Sequence, residues 1–291
     1  MDRTDSPTVV VLGSVNMDLV TTVPRRPAPG ETVLGSDFAT VPGGKGANQA
    51  IAAARSGARV RFLGAIGDDA FGSELAATLS RADVDISLLR RVDGASGIAS
   101  IVVDETGENS IIVVAGANGR VTDLTAAELA AIAQADILLC QLEIPIHTVL
   151  AAAQHARASG TVVALNPSPF QPLPEELWAA VDVAIVNSLE SEQYSGKLTH
   201  VAHLVRTLGG DGAVYRGTDG NERSVGGRTV EVLDTTGAGD AFTGALVATW
   251  NRGISTALNW ANTAGALTTT RLGASSAIPG RDRIAAALTA D

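Results

Sequence analysis

The sequence predicts an α/β fold in which helices cover both faces of a parallel β-sheet. Short β-branched runs alternate along the chain with Ala-rich helical segments, an order typical of parallel strands joined by helical crossovers. Five of the runs are apolar without alternation, which predicts strands that are buried on both faces. These predicted strands are Val9–Leu12, Val60–Leu63, Ile137–Leu142, Thr161–Leu165 and Val183–Val186.

The predicted helices lie between these strands and carry recognisable end signals. Gly57 and Gly160 follow two of them and are natural C-terminal stops. Thr125 and Glu128 have the spacing of a capping box, which predicts where another helix begins. Ligands of such folds bind beyond the carboxyl ends of the strands, so function is expected there. The predicted helices are Gly46–Ser56, Phe71–Arg81, Thr125–Ala133 and Ile146–Ala158.

Two segments, 15–42 and 97–115, interrupt this alternation. The first contains four prolines and two short alternating pieces, Thr32–Leu34 and Phe38–Val41. The second predicts a hairpin, because two β-rich runs flank a polar turn at Asp104–Asn109.

We interpret both segments as a small sheet that projects from a single domain covering residues 1–291. The hairpin strands in this interpretation are Gly97–Val103 and Ser110–Ala115. Neither segment fits a helical crossover, so the small sheet is expected to act as a lid, as a dimer surface, or as both.

Composition and charge exclude several classes of protein. Hydrophobic residues make up 45% of the 291 residues and charged residues 18%, which allows a sizeable core and excludes wholesale disorder. The net charge of −10 argues against a binder of nucleic acid or of anionic membranes. The one cysteine, Cys140, excludes an intramolecular disulfide, and no apolar run reaches the ~20 residues of a membrane span. We therefore expect a soluble protein of a reducing, cytoplasmic compartment.

The sharpest motif is the segment Asp234–Phe242, which reads DTTGAGDAF. Apolar residues recur at helical spacing from Phe242 to Trp250, so a glycine-rich loop opens a buried helix that ends near Gly253. The free N–H groups and the positive dipole end of such a helix form an anion site. Asp240 in the first turn could accept a proton from a hydroxyl that attacks phosphorus, or could simply stabilise the helix dipole.

A second glycine-rich motif, Pro42–Ala50, reads PGGKGANQA. Its glycines let the backbone approach a ligand closely, while Lys45 and Asn48 offer donors to hydroxyls or phosphate. It is not a Walker A loop, because Lys45 is followed by Gly46, and it is not a dinucleotide fingerprint, because Gln49 stands where a third glycine is needed. A flexible strand-to-helix turn with an exposed lysine is the alternative interpretation.

Polar residues also follow several predicted strands. Asn16 and Asp18 are two residues apart, so in an extended chain they face the same side and could hold vicinal hydroxyls, although an Asx turn explains Asn16 equally well. Glu143 is either a further acceptor or a solvated strand end. Asn187 and Glu190 could hold a Mg²⁺–water shell near phosphates, or could cap a helix.

Together and in this order, the motifs resemble the phosphofructokinase-B-type carbohydrate kinases over nearly the whole chain. Gly43–Asn48 is similar to the N-terminal signature of that family, and Asp234–Phe242 is similar to its highly specific C-terminal signature. The combination with Asn16, Asp18 and Glu143 resembles the ribokinase branch. The resemblance implies a three-layer αβα sandwich with a small β-sheet lid that forms a homodimer clasp. It also implies ATP-dependent phosphorylation of the 5-hydroxyl of D-ribose.

The resemblance further implies roles for individual residues. The general base would be Asp240, and the anion hole would be formed by Gly237, Ala238 and Gly239. The sugar would be held by Asn16, Asp18, Gly43, Gly44, Lys45, Asn48, Glu143 and Asp240. ATP would lie along Asn187, Thr207, Gly209, Gly210, Asp211, Gly212, Gly239 and Asn262. Glu190 would organise Mg²⁺ through water, and an activating monovalent cation, usually K⁺, would be bound by Asp234, Thr236, Thr268, Arg271 and Gly273.

Departures from the family pattern and two alternative functions accompany this interpretation. The segment 190–207 is shorter than in typical members, which predicts the loss of one crossover helix, and Asn262 and Ala277 stand where His and Ser are common. A nucleoside kinase or another sugar kinase is one alternative, disfavoured by an aromatic content of only 3% because a base is usually stacked on a ring. A non-catalytic sugar or nucleotide sensor is the other, disfavoured by the intact Asp240 and Gly237–Gly239.

Overall fold

The computed structural model describes residues 6–289, which form a nine-stranded sheet, a separate four-stranded sheet and ten α-helices. Residues 1–5 and 290–291 of the predicted domain lie outside the described residues.

The strands are β1 (Thr8–Leu12), β2 (Asn16–Thr22), β3 (Asp37–Gly43), β4 (Arg59–Gly67), β5 (Leu89–Val92), β6 (Gly97–Val103), β7 (Asn109–Val114), β8 (Ile137–Cys140), β9 (Val162–Leu165), β10 (Val183–Asn187), β11 (His203–Thr207), β12 (Gly212–Arg216) and β13 (Glu222–Gly226). The helices are α1 (Lys45–Arg55), α2 (Ala70–Arg81), α3 (Ala126–Ala133), α4 (Ile146–Ser159), α5 (Glu175–Ala180), α6 (Ser188–Gln193), α7 (Ser195–Leu198), α8 (Ala238–Thr249), α9 (Ile254–Thr268) and α10 (Arg281–Thr289). Within 6–289, no helix has the length and apolar character needed to cross a membrane.

The nine-stranded sheet confirms the predicted α/β fold. Its strand order is β13-β12-β11-β10-β9-β8-β1-β4-β5, and neighbours are parallel from β11 to β5. Alternate residues of β1 pack into two different cores, with Val9 and Val11 in one and Val10 and Leu12 in the other. The strand is therefore covered on both faces, as its uninterrupted apolar run predicts.

The sheet is not parallel throughout, which corrects the sequence prediction. β12 runs antiparallel to β11, and β13 runs antiparallel to β12. The 3₁₀ turn Gly209–Asp211 joins β11 to β12, and a connection this short joins only antiparallel neighbours. The turn follows Thr207, which lies opposite Asn187 at the carboxyl end of β10.

The crossover between β10 and β11 retains helical structure despite its shortness. Two short helices, α6 and α7, lie in this crossover, for which the sequence predicts the loss of one helix relative to the family pattern. A capping box starts α6, because Asn187 Oδ1 accepts from the Glu190 N–H at 2.8 Å and Glu190 Oε2 accepts from the Asn187 N–H at 2.9 Å. The cap interpretation of these two residues is therefore confirmed.

The second sheet is built from segments 15–42 and 97–115, in the order β3-β2-β6-β7. β2 pairs antiparallel with β3 and parallel with β6, while β6 and β7 form the predicted hairpin. Thr32–Leu34 forms no strand, contrary to the sequence prediction, because no described strand pairs with it and Leu34 is 87% exposed. Only three residues separate β1 from β2, so this sheet begins at the carboxyl edge of the large one.

The ends of several elements match the sequence signals, and one does not. Gly160 ends α4 in the left-handed conformation, with φ 81°, and Thr125 caps α3. β8 ends at Cys140 rather than at Leu142 as predicted, because the Leu142 N–H leaves the strand ladder and donates to Ser168 O.

Substitution of Thr125 by alanine is expected to lower the free energy of unfolding by about 1 kcal/mol. Thr125 Oγ1 accepts from the Glu128 N–H at 3.3 Å, so the alanine variant leaves an N–H of α3 without its partner. The midpoint of urea unfolding measures the change, and Thr125→Ser, which keeps the oxygen, is the control. Equal midpoints for the alanine and serine variants would contradict the capping role.

Candidate active site

Asp240 lies half-buried in the first turn of α8, directly after the glycine-rich loop. The loop ends at Gly237, which caps α8 in the left-handed conformation with φ 74°. The Ala238 N–H donates to Thr235 O at 3.2 Å, so one of the three predicted anion-hole donors is already engaged by the protein. The remainder of α8, Ala241 to Thr249, is buried, as its helical spacing predicts.

A close contact between α8 and α1 brings Asp240 to the second glycine-rich motif. Gly244 lies so near to α1 that a Cβ atom there would stand 2.3 Å from Gln49 O. One turn earlier on α8, Asp240 Oδ2 accepts from Asn48 Nδ2 at 3.0 Å, and Asp240 Oδ1 accepts from Gln49 Nε2 at 2.9 Å. Asn48, which the sequence predicts as a donor to a sugar or phosphate, therefore also holds the carboxylate of Asp240.

Two glutamines near Asp240 are absent from the predicted site. Gln49 contacts the carboxylate directly, and Gln141 Nε2 donates to Gln49 Oε1 at 2.6 Å. Both side chains are fully buried. The sequence did carry a signal, because Gln141 is polar within Ile137–Leu142, a run predicted to be buried on both faces.

Two adjoining cavities open beside the start of α8. The larger has a volume of about 440 Å³ and the smaller, which is mostly polar, about 160 Å³. Thr207 and Gly239 line both cavities, so the two spaces meet there. Asp240 and Lys45 line the smaller one.

The predicted nucleotide-binding residues divide between these cavities. Asn187 and Glu190 line the smaller cavity, so the residues that cap α6 also face this space. Asp211 lines neither cavity and is exposed. The remaining predicted residues line the larger cavity, and these are Thr207, Gly209, Gly210, Gly212, Gly239 and Asn262.

Asn16 and Asp18 lie two residues apart on β2, as the sequence predicts. Asn16 is buried, and its Oδ1 accepts from Asn118 Nδ2 at 2.7 Å. Asn118 also bonds to the N–H and the carbonyl of Val15, so it fixes the start of β2. Gly97 leaves room for this pair, since a Cβ atom there would lie 2.2 Å from Asn118 Nδ2. The oxygen of Asn16 is thus held by the protein, and its amide nitrogen is the group that can serve a ligand.

The glycines of the second motif set the position of two acidic side chains. Gly43 packs on Asp18, and a Cβ atom there would stand 2.4 Å from Asp18 Oδ2. Gly44, with φ 91°, caps α1 and turns the Lys45 N–H toward Glu143 Oε2, which accepts from it at 3.2 Å. Side chains from β2, α1 and the end of β8 therefore meet in one region.

Negative charge is concentrated in this region. Burial, followed by the nearby carboxylates of Glu143 and Asp240, raises the pKa of Asp18 from 3.8 to about 7. Burial alone would lower the pKa of the Lys45 ammonium, but Asp240, Glu143 and Glu190 raise it above its ordinary value. Lys45 is therefore held as a cation among carboxylates.

The residues predicted to bind a monovalent cation lie on two segments, 234–236 and 268–273. The Asp234 side chain joins the two segments. Asp234 Oδ1 accepts from the Thr236 N–H and Oδ2 from the Gly273 N–H, each at 2.8 Å. Burial would raise the pKa of Asp234, but the hydrogen bonds from Thr236 and Gly273 hold it below its usual value. Thr268 is buried, its hydroxyl donates within α9, and its carbonyl accepts from the N–H of the exposed Arg271 at 3.4 Å.

Comparisons with known proteins agree on one family. The family model described as pfkB family carbohydrate kinase matches residues 6–281. Ribokinases of Bacillus subtilis and Haemophilus influenzae are 39% and 37% identical to this chain, over 95% and 94% of its length and 97% and 96% of theirs. The structure of Arabidopsis thaliana ribokinase complexed with ribose and ATP has a TM-score of 0.90 and 30% identity, covering 97% of this chain and 99% of that one. The chain belongs to the pfkB family of carbohydrate kinases.

Proposed function

We propose that this protein transfers the γ-phosphoryl group of ATP to the 5-hydroxyl of D-ribose, giving ribose 5-phosphate and ADP. The observation that carries the proposal is the position of Asp240, which lines a polar cavity that adjoins a larger cleft lined by glycines. The names of the bacterial relatives and the Arabidopsis complex with ribose and ATP support this pair of substrates.

The sugar hydroxyls would be held by Asn16, Asp18 and Glu143. Two of these side chains have one polar atom fixed by the protein and another left for a ligand. Glu143 Oε2 accepts from the Ser14 hydroxyl, and Asn16 Oδ1 accepts from Asn118. Such anchoring orients the other polar atoms before the sugar arrives, which lowers the entropy cost of binding.

Asp240 would act as the general base. It accepts the proton of the 5-hydroxyl while that oxygen forms a bond to the γ-phosphorus. The bond between the γ-phosphorus and the bridging oxygen breaks, and ADP leaves with the electron pair. The N–H groups of Gly237 and Gly239, at the positive end of the α8 dipole, would stabilise the charge on the transferred group.

Lys45 would supply positive charge to the transferred group. Its side chain lines the smaller cavity together with Asp240 and Glu190. Because neighbouring carboxylates raise the pKa of Lys45, the ammonium keeps its proton when anionic phosphate enters.

A magnesium ion fits the polar cavity lined by Glu190 and Asn187. Among residues 6–289, no three His, Cys, Asp or Glu side chains are grouped to hold a metal, so an ion here would take most of its ligands from phosphate and water. When bound, it would neutralise phosphate charge. Glu190 is buried, which fixes its carboxylate for a contact through water.

A monovalent cation, such as K⁺, fits between segments 234–236 and 268–273, which the Asp234 side chain joins. Hard cations of low charge prefer carbonyl and carboxylate oxygens, and the predicted set offers both types. The ion would stabilise the loop that ends at Gly237, and so the geometry of the anion hole. It would be held by Asp234, Thr236, Thr268, Arg271 and Gly273, mostly through carbonyl groups.

The four-stranded sheet would serve as a lid over the sugar and as a homodimer surface. Its outer strand β7 is exposed along its whole length, with Ile112 67% exposed. Phe38 on β3 is 60% exposed. An apolar surface of this kind favours association with a second copy. A closed lid would also keep water from accepting the phosphoryl group.

A coupled assay of ADP release tests the substrate assignment. Ribose, other pentoses, hexoses and nucleosides are compared at saturating ATP, each with and without K⁺. The proposal requires the highest kcat/KM with ribose and a rise in activity with K⁺. A preference for a nucleoside or hexose would assign the fold to another kinase, and absence of turnover with every acceptor would favour a sensor.

Asp240→Asn is expected to lower kcat by about 10²- to 10⁴-fold, because asparagine cannot take up the hydroxyl proton. Ribose affinity, measured by calorimetry, should change little because the amide has nearly the same shape. The control is Asp282→Asn, which also removes one carboxylate but lies on α10. A near-normal kcat in Asp240→Asn would remove Asp240 as the base.

The KM for ribose is expected to fall as pH rises from about 6 to about 8. The pKa of Asp18 is raised to about 7, so below that pH the carboxyl group is protonated, and above it both oxygens accept hydrogen bonds from sugar hydroxyls. In Asp18→Asn the KM should rise by about 10- to 100-fold at pH 8, and its change between the two pH values should disappear. The KM for ATP is the internal control. The same pH dependence of the ribose KM in both proteins would show that Asp18 does not bind the sugar.

A further inference from the structure

A chain of buried amides leads from the nine-stranded sheet to the carboxylate of Asp240. Gln141 Nε2 donates to Gln49 Oε1 at 2.6 Å, and Gln49 Nε2 donates to Asp240 Oδ1 at 2.9 Å. Gln49 Nε2 also donates to Asn166 Oδ1 at 3.0 Å. Both glutamines are completely buried, so water does not compete for these bonds.

The hydrogen bonds fix which end of each amide faces Asp240. Because Gln141 donates to Gln49 Oε1, the oxygen of Gln49 is directed toward Gln141 and its nitrogen toward Asp240. Asn166 reinforces this direction, since its own nitrogen donates to Ile185 O at 2.9 Å and only its oxygen is left for Gln49. A reversed Gln49 amide would set two oxygens against each other at Asp240 and at Asn166, and two N–H donors against each other at Gln141.

The buried position of Gln141 carries an energetic cost. Packing alone does not explain why a glutamine occupies it. Its Oε1 is buried with no hydrogen-bond partner within residues 6–289. A buried polar atom without a partner costs about 1 to 3 kcal/mol. The lack of a side chain at Gly13 provides the space, since a Cβ atom there would stand 2.0 Å from Gln141 Oε1. An apolar side chain would avoid the cost, but it could not donate to Gln49.

The surroundings of Asp240 explain what such a donor achieves. The charge of Asp240 acts on Asp18 of β2 and on Lys45 of α1, and Glu190 of α6 lines the same small cavity. Repulsion from the two carboxylates and attraction to the ammonium would turn an unsupported Asp240 carboxylate away from a single orientation. N–H donors hold the carboxylate in one orientation.

We propose that Gln49 and Gln141 are positioning residues for phosphoryl transfer: Gln49 holds the carboxylate of Asp240 in one orientation, and Gln141 acts only by fixing the direction of the Gln49 amide. This inference rests on the proposed role of Asp240 as the base. It differs from that role in predicting that two residues outside the proposed sugar and nucleotide sites change kcat with little change in the ribose KM.

The test is a double-mutant cycle of Gln49→Met and Gln141→Met, because methionine has a similar length and no N–H donor. Gln49→Met is expected to lower kcat by roughly 10- to 100-fold and Gln141→Met by roughly 3- to 10-fold, with the ribose KM changed less than about threefold. The double variant should match Gln49→Met within about twofold, because Gln141 has no route to Asp240 once Gln49 is gone.

Gln171→Met is the matched control for the loss of a glutamine amide. Gln171 Nε2 donates to Leu142 O at 2.7 Å and has no contact with Asp240 or Gln49. Its kcat and ribose KM should match those of the unchanged protein. Circular dichroism and thermal unfolding establish that each variant folds. Should Gln49→Met not fold, Gln141→Met alone decides, since it leaves Gln49 in place.

Additive losses in the double variant, or an unchanged kcat in Gln49→Met, would overturn the inference. The inference would also be overturned if the ribose KM rose, kcat/KM fell by the same factor and kcat stayed unchanged. That result would indicate a change in sugar binding alone. These failures differ from failure of the proposed function. If Asp240→Asn were active the base itself would be wrong, whereas an inactive Asp240→Asn with an unaffected Gln49→Met would reject only the positioning role.

Discussion

The constraint that governs this site is the crowding of carboxylates in a partly buried space. Asp18, Glu143 and Asp240 lie close enough that burial and the other two charges raise the pKa of Asp18 to about 7. A phosphate group brings still more negative charge. The protein compensates with Lys45, with the positive end of α8, and with amide donors whose direction is fixed. The surrounding architecture serves to keep these few groups in place.

Much of this arrangement could be predicted from the sequence because local chemistry specifies it. The uninterrupted apolar run Val9–Leu12 requires cover on both faces, and the structure provides two separate cores for it. The capping box at Thr125 depends only on residues within one turn. Asn187 and Glu190 show that two sequence interpretations can hold together, since they cap α6 and also line the smaller cavity.

The rest could not be predicted because it depends on tertiary contacts. The direction of β12 follows from pairing at the sheet edge, which an apolar pattern does not encode. Thr32–Leu34 alternates like a strand but finds no partner among the described residues. Gln49 and Gln141 are 92 residues apart, so nothing in either local sequence indicates that their amides meet. The engagement of the Ala238 N–H by Thr235 depends likewise on loop geometry that the glycine pattern leaves open.

The close approach of α8 to α1 at Gly244 has a consequence for how the protein is made. It joins Asn48 to Asp240 across 192 residues, so the two partners come from nearly opposite ends of the polypeptide. A nascent chain still on the ribosome can complete its early strands, yet the contact between Asn48 and Asp240 cannot form until α8 emerges and docks. The contact therefore depends on completed synthesis and folding, and a chain truncated before α8 lacks it however well its first half is formed.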